Sequence, residues 1–151
     1  MKRFKLIVPV LFILLLLTSD SVLGEDIIDD FFFDGCSSIA PEGPSYDPNL
    51  WCECCLIHDI SYWKGGSWKQ RRNADKELGE CVAEKTGNKA LGFLFYSGVR
   101  AGGSPYVNTP YRWGYGWKFG RGYKKLTDVQ KQEANMLLER WYLENPDACV
   151  D

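Results

Sequence analysis

Apolar and polar positions follow two different rules along this chain. From Leu6 to Leu17 the residues are almost continuously apolar, with Lys2, Arg3 and Lys5 ahead of the run and the small residues Val22 and Gly24 shortly after it. That three-part layout predicts a secretory signal peptide over residues 1–24, cleaved after Gly24. The run is shorter than the roughly 20 residues a spanning helix needs, and no cysteine follows it to accept a lipid. An uncleaved N-terminal anchor is the alternative; with either, the remainder is expected outside the cytoplasm, secreted or periplasmic.

Beyond residue 24 the apolar positions recur at spacings of three and four, the helical signature. A first helix is predicted from about Pro48 to Trp63, ending at the breaker Gly65-Gly66, which permits a reversal of direction. Ser67 can cap a second helix over Trp68 to Lys85, with Ala74, Leu78, Cys81 and Val82 on one face. A third is expected at Lys89 to Arg100. Thr127 followed by Gln130 is a capping box for a last helix, which carries Ala134, Leu137, Leu138 and Trp141 and stops near Pro146. The stretches 35–48 and 102–122 are rich in Pro, Gly and Ser and read as functional loops. Within the second, Tyr111 to Trp117 holds too many glycines for a helix and fits a loop or a short hairpin.

Composition narrows the class. Removing residues 1–24 takes away three of 18 basic and one of 20 acidic residues, leaving 15 against 19 and a net charge of about −4. The remaining 127 residues make one domain, 25–151. Its mildly acidic balance gives nucleic acid no electrostatic foothold, and no obligate protein partner is predicted. All six cysteines, Cys36, Cys52, Cys54, Cys55, Cys81 and Cys149, fall in that domain. An even count in an exported domain predicts three disulfides, chosen from 15 possible pairings. Zinc held by Cys52, Cys54, Cys55 and His58 is the rival reading. It is disfavoured because an oxidising compartment competes for the thiols and adjacent helical cysteines diverge.

The chemistry concentrates in Trp51 to Tyr62. His58 is the only histidine, so any imidazole base must be this residue. Tyr62 shares its helical face. Two antiparallel helices joined at Gly65-Gly66 also bring Asp75 opposite His58, because the arms have nearly equal length at 1.5 Å of rise per residue. Asp75 would then hold the imidazole tautomer and stabilise its cation. A solvated helix charge beside Arg71 and Arg72 is the plainer reading of Asp75.

Cys54-Cys55-x-x-His58-Asp59-x-x-Tyr62, followed by Ala74-Asp75 and by Cys81, resembles the secreted phospholipase A2 family, with the closest likeness from Asp34 to Cys81. The resemblance implies a mainly α, disulfide-stapled domain in which two antiparallel helices carry a His/Asp site. It also implies calcium-dependent hydrolysis of the sn-2 ester of glycerophospholipids at a membrane surface, with His58, Asp75 and Tyr62 as the catalytic set. Asp59 would bind calcium, an ion that accepts carboxylates, carbonyls and water in flexible geometry. Asp34-Gly-Cys-Ser-Ser-Ile-Ala-Pro-Glu-Gly-Pro44 resembles the calcium loop of the small microbial branch, so Asp34 would give a side chain and Gly35 a carbonyl. The chain departs from the animal enzymes, lacking their glycine-rich run after the loop cysteine and their long insertion before the Asp partner. The resemblance also implies Cys36–Cys55 and Cys54–Cys81 pairs, leaving Cys52 for Cys149.

A non-catalytic lipid- or protein-binding module of the same fold, and an esterase acting on another acyl ester, are the alternatives. The rings Trp113, Tyr115, Trp117 and Tyr123 among basic residues suit a membrane interface or, equally, a covered core. Trp51, Trp63 and Trp68 can wall an acyl channel or simply pack.

Overall fold

A computed structural model describes residues 26–33, 35 and 48–149. The predicted leader, Asp34 and Cys36 lie outside the described residues. A 3-10 turn, Pro48–Trp51, leads into α1 (Cys52–Lys64), followed by α2 (Trp68–Thr86), α3 (Lys89–Gly102) and α4 (Asp128–Glu144). No strand occurs among the described residues, and no helix there is long and apolar enough to cross a membrane. The first element thus begins as a tighter turn and becomes α-helical only at Cys52, four residues later than its apolar pattern predicts.

The caps follow the local chemistry. Ser67 accepts from the Gln70 amide while the Gln70 side chain reaches back to the Ser67 amide, and Thr127 and Gln130 do the same for α4. Each reciprocal pair satisfies two otherwise orphaned donors. Asn88 caps α3 through the amides of Ala90 and Leu91.

α1 and α2 run antiparallel: Glu53 meets Lys85, Cys54 is bonded to Cys81, and His58 meets Asp75 in descending order along α2. α3 returns along the other side of α2. The two cross where Gly79 and Gly92 touch, and a Cβ built on Gly79 would lie 2.8 Å from the Gly92 carbonyl oxygen, with Gly92 closer still to Gly79. Only hydrogen at both positions permits this approach. Trp51, Leu78, Val82, Leu91 and Phe95 fill the space between these helices. On the opposite side of α1, Leu56 and Trp63 pack with Ile28, Phe31, Trp117 and Ala134, tying residues 26–33 and α4 to the first helix.

The glycine- and aromatic-rich run serves the end of α1. Gly114 N–H donates to the Tyr62 carbonyl at 2.6 Å and Gly116 N–H to that of Trp63 at 3.2 Å. The Trp117 and Trp113 indoles donate to the carbonyls of Lys64 and Gly66 at 2.7 and 2.9 Å. A helix leaves its last carbonyls without partners, and this segment supplies them. Gly65 and Gly114, both at positive φ, are close enough that a Cβ on Gly65 would stand 2.8 Å from Gly114 Cα. Trp113 and Trp117 are buried, so these two rings cover the core and do not face a membrane.

Cys54–Cys81 joins α1 to α2 and Cys52–Cys149 joins the start of α1 to the C-terminal segment. Cys55 is disulfide-bonded too, and none of the described cysteines is free. The zinc reading falls with that, because Cys52, Cys54 and Cys55 have no thiolate to offer. Closing loops of 27 and 97 residues stabilises the fold by about 3–5 kcal/mol each on loop-entropy grounds. The Gly79–Gly92 crossing makes a separate prediction: Gly92→Ala should cost about 1–3 kcal/mol of overpacking, read as a lowered urea midpoint. An unchanged midpoint would mean that the helices do not approach this closely.

Candidate functional site

The site is built on a stripe of α2. Arg71, Ala74, Asp75, Leu78 and Val82 are all buried, at the spacing of one helical face. Asp75 is wholly inaccessible to solvent, at 0% exposure, so the reading of Asp75 as a solvated helix charge is overturned. Burying a carboxylate is tolerable only if it is paired and hydrogen-bonded, and among the described residues Asp75 meets three donors. Its Oδ1 lies 3.2 Å from His58 Nε2 and accepts from the Tyr62 hydroxyl at 2.7 Å. Its Oδ2 accepts from Arg100 Nη1 at 2.7 Å, while Arg71 Nε stands 3.7 Å away.

Arg71 is engaged elsewhere. It donates through Nε to the Tyr62 hydroxyl at 3.0 Å and through Nη1 to the Tyr123 hydroxyl at 2.9 Å. Its Nη2 reaches the carbonyls of Val99 and Arg100 at 3.0 and 2.9 Å, closing the end of α3. The Tyr62 ring lies against His58, with centroids 4.2 Å apart, and meets Trp113 edge-on at 5.1 Å. Gly103 presses on the same ring: a Cβ there would fall 2.8 Å from Tyr62 Cζ.

Electrostatics follow from this crowding. Burial pushes the Asp75 carboxyl up, but the hydrogen bonds from His58, Arg100 and Tyr62 outweigh it and hold the group below the ordinary carboxylate range. Burial alone would lower His58, and the neighbouring Asp59 and Asp75 carboxylates reverse that, leaving the imidazole raised. Burial, reinforced by the Asp75 charge, pushes the Tyr62 phenol well up, so it stays protonated and donates.

His58 and Asp59 lie on the wall of a pocket of about 570 Å³. Leu78, Leu94, Phe95, Val99 and Pro110 give it apolar sides, and Gly35 and Tyr62 also line it. Trp51 and Trp63 are core residues and Trp68 is half exposed; none of the three borders the pocket, so they do not wall a channel. Asp59 approaches the other ring nitrogen, with Oδ1 3.6 Å from His58 Nδ1. Among the described residues no group of three or more His, Cys, Asp or Glu gathers to hold a metal. The Asp59 carboxylate and the Gly35 backbone do share one pocket. That oxygen-donor chemistry fits a hard cation, which takes carbonyls and water beside a single carboxylate.

Of the residues predicted from sequence, His58, Asp59, Tyr62, Asp75 and Gly35 thus come together. Arg100 and Gly103 were missed, Tyr123 was read only as an interface or core ring, and Arg71 only as a neighbour of Asp75. A signal for Arg71 existed, because it falls on the same stripe as Ala74, Leu78 and Val82. No protein-family model, curated protein or solved structure matches the chain.

The Asp75 carboxyl titrates below its unfolded value, so its ionised form stabilises the fold above about pH 4, and this contribution is lost as pH falls through the folded value. Asp75→Ala should cost about 3–5 kcal/mol, because it leaves two arginines around a missing charge. It should also flatten the dependence of the denaturation midpoint on pH below 4. A variant as stable as the parent, with an unaltered acid slope, would show that Asp75 is not the electrostatic centre of the site.

Proposed function

We propose that this protein is an exported, calcium-dependent phospholipase A2-like hydrolase that cleaves the sn-2 ester of glycerophospholipids presented at a membrane surface. The observation that carries this reading is the pairing of His58 Nε2, on the wall of an apolar pocket, with the buried Asp75 behind it. Such a pocket suits an acyl chain, and a base fixed through Nε2 acts through Nδ1, the nitrogen that Asp59 Oδ1 approaches at 3.6 Å. The motif resemblance from Asp34 to Cys81 supports the same class.

In this mechanism a water held by His58 Nδ1 loses its proton to the imidazole as its oxygen attacks the ester carbonyl carbon. Asp75 keeps the ring in the Nε2–H tautomer and balances the imidazolium charge. The tetrahedral centre then expels the glycerol oxygen, which takes the proton back from His58, leaving a fatty acid and a lysophospholipid. Asp59, and by the family resemblance the Asp34 side chain and the Gly35 carbonyl, would hold calcium, which would supply positive charge to polarise the ester carbonyl and stabilise the developing oxyanion. Tyr62 holds Asp75 in place through its hydroxyl. The apolar pocket walls take up the acyl chain and exclude bulk water from the reacting bond.

His58→Gln should lower kcat for fatty-acid release by about 10²- to 10⁴-fold, the usual contribution of a positioned base, while leaving the circular dichroism spectrum unchanged. Asp59→Asn should remove calcium dependence along with activity. A folded His58→Gln, Asp59→Asn double variant that still cleaves phospholipid would end the assignment. A folded parent protein that takes up lipid and releases no fatty acid would instead identify a binding module.

A further inference from the structure

We propose that Arg100, in the last turn of α3, is a positioning residue for the His58–Asp75 pair: by holding Asp75 Oδ2 it turns the carboxylate so that Oδ1 faces His58 Nε2. The kinetic part of this proposal rests on the hydrolase reading; the structural part does not.

The two oxygens of Asp75 have separate partners. Oδ1 serves His58 and Tyr62, whereas among the described residues Oδ2 has one donor within hydrogen-bond distance, Arg100 Nη1 at 2.7 Å. The terminal torsion of an aspartate is broad and roughly two-fold, so neighbours must set which oxygen points where. Arg71 does not do so. Its Nε stands 3.7 Å from Oδ2, and its guanidinium donates to Tyr62, Tyr123 and the carbonyls of Val99 and Arg100. Without Arg100, Oδ2 becomes a buried acceptor lacking a hydrogen bond, a costly arrangement. The carboxylate then turns toward Arg71, and Oδ1 leaves the line of the imidazole.

Arg100 is absent from the pocket wall, although its helix supplies Leu94, Phe95 and Val99 to it. It therefore acts on the imidazole through Asp75 and does not touch substrate. Its side chain is 24% exposed while that of Asp75 is 0%. Arg100 is thus the solvent-facing member of the pair, and shortening its side chain opens a route by which a small cation can reach the carboxylate.

The test uses the full mature protein and two variants, Arg100→Ala and Arg100→Lys. Misalignment of a base by about 1 Å costs on the order of 100-fold, and a loss of that size is expected in kcat for Arg100→Ala, with KM unchanged. Guanidinium chloride at millimolar, non-denaturing concentration should restore part of the lost kcat in Arg100→Ala and none in the parent. An unchanged kcat, or an effect confined to KM, would overturn the kinetic part. The single histidine gives a readout independent of turnover: ¹⁵N NMR at a pH where the ring is neutral. The parent should show the Nε2–H tautomer, and Arg100→Ala a mixture that guanidinium shifts back. Identical tautomer populations in parent and variant would overturn the proposal. Should the alanine variant not fold, Arg100→Lys is measured in its place, and its shorter reach should leave a mixed tautomer. A variant-dependent tautomer in a protein that hydrolyses no lipid would refute the hydrolase reading and leave the positioning role standing.

Discussion

A carboxylate sealed from water has to be neutralised by the groups that surround it, and Asp75 imposes that condition on three helices at once. α1 answers with His58 and Tyr62, α2 with Arg71 one turn away, and α3 with Arg100. These contacts share partners: the Tyr62 hydroxyl both donates to Asp75 and accepts from Arg71, and Arg71 in turn donates to the carbonyls of Val99 and Arg100 near the end of α3. Pairing across a low-dielectric interior gives the network its strength, and removing any one charge would leave the others poorly compensated.

That network needs close backbone approach, which explains where the glycines fall. Gly79 and Gly92 let α3 come near enough to α2 for Arg100 to reach Asp75. Gly103 leaves room for the Tyr62 ring, and Gly65 and Gly114 let the aromatic run settle over the end of α1 and take up its carbonyls. The helix that carries His58 is therefore held by the Cys54–Cys81 bond along its length and by Trp113 and Trp117 at its C-terminal end. Rigid support of this kind keeps the His58–Asp75 pair aligned.

Much of this was legible in the sequence because it depends on local rules. Capping boxes at Ser67 and Thr127, the Gly65-Gly66 break and the three-and-four spacing of Ala74, Leu78 and Val82 mark the helices. Equal arm lengths around the break put His58 opposite Asp75. What escaped depends on a second helix crossing. Arg100 lies 25 residues from Asp75, and no periodicity links the two; their meeting is decided by a Gly–Gly contact that looks in sequence like two helix-weakening residues. The role of Tyr111 to Trp117 was equally hidden. Its indoles cap another element's carbonyls, an arrangement with no local signature.

In the proposed reaction His58, oriented by the buried Asp75, acts on an acyl ester in the pocket that His58 borders. The most direct measurement is release of fatty acid from mixed phospholipid vesicles by the folded mature protein, first with millimolar calcium and then with chelator. Release that needs calcium and stops on chelation is the predicted result. Absence of release in both conditions, or equal release in both, would contradict it.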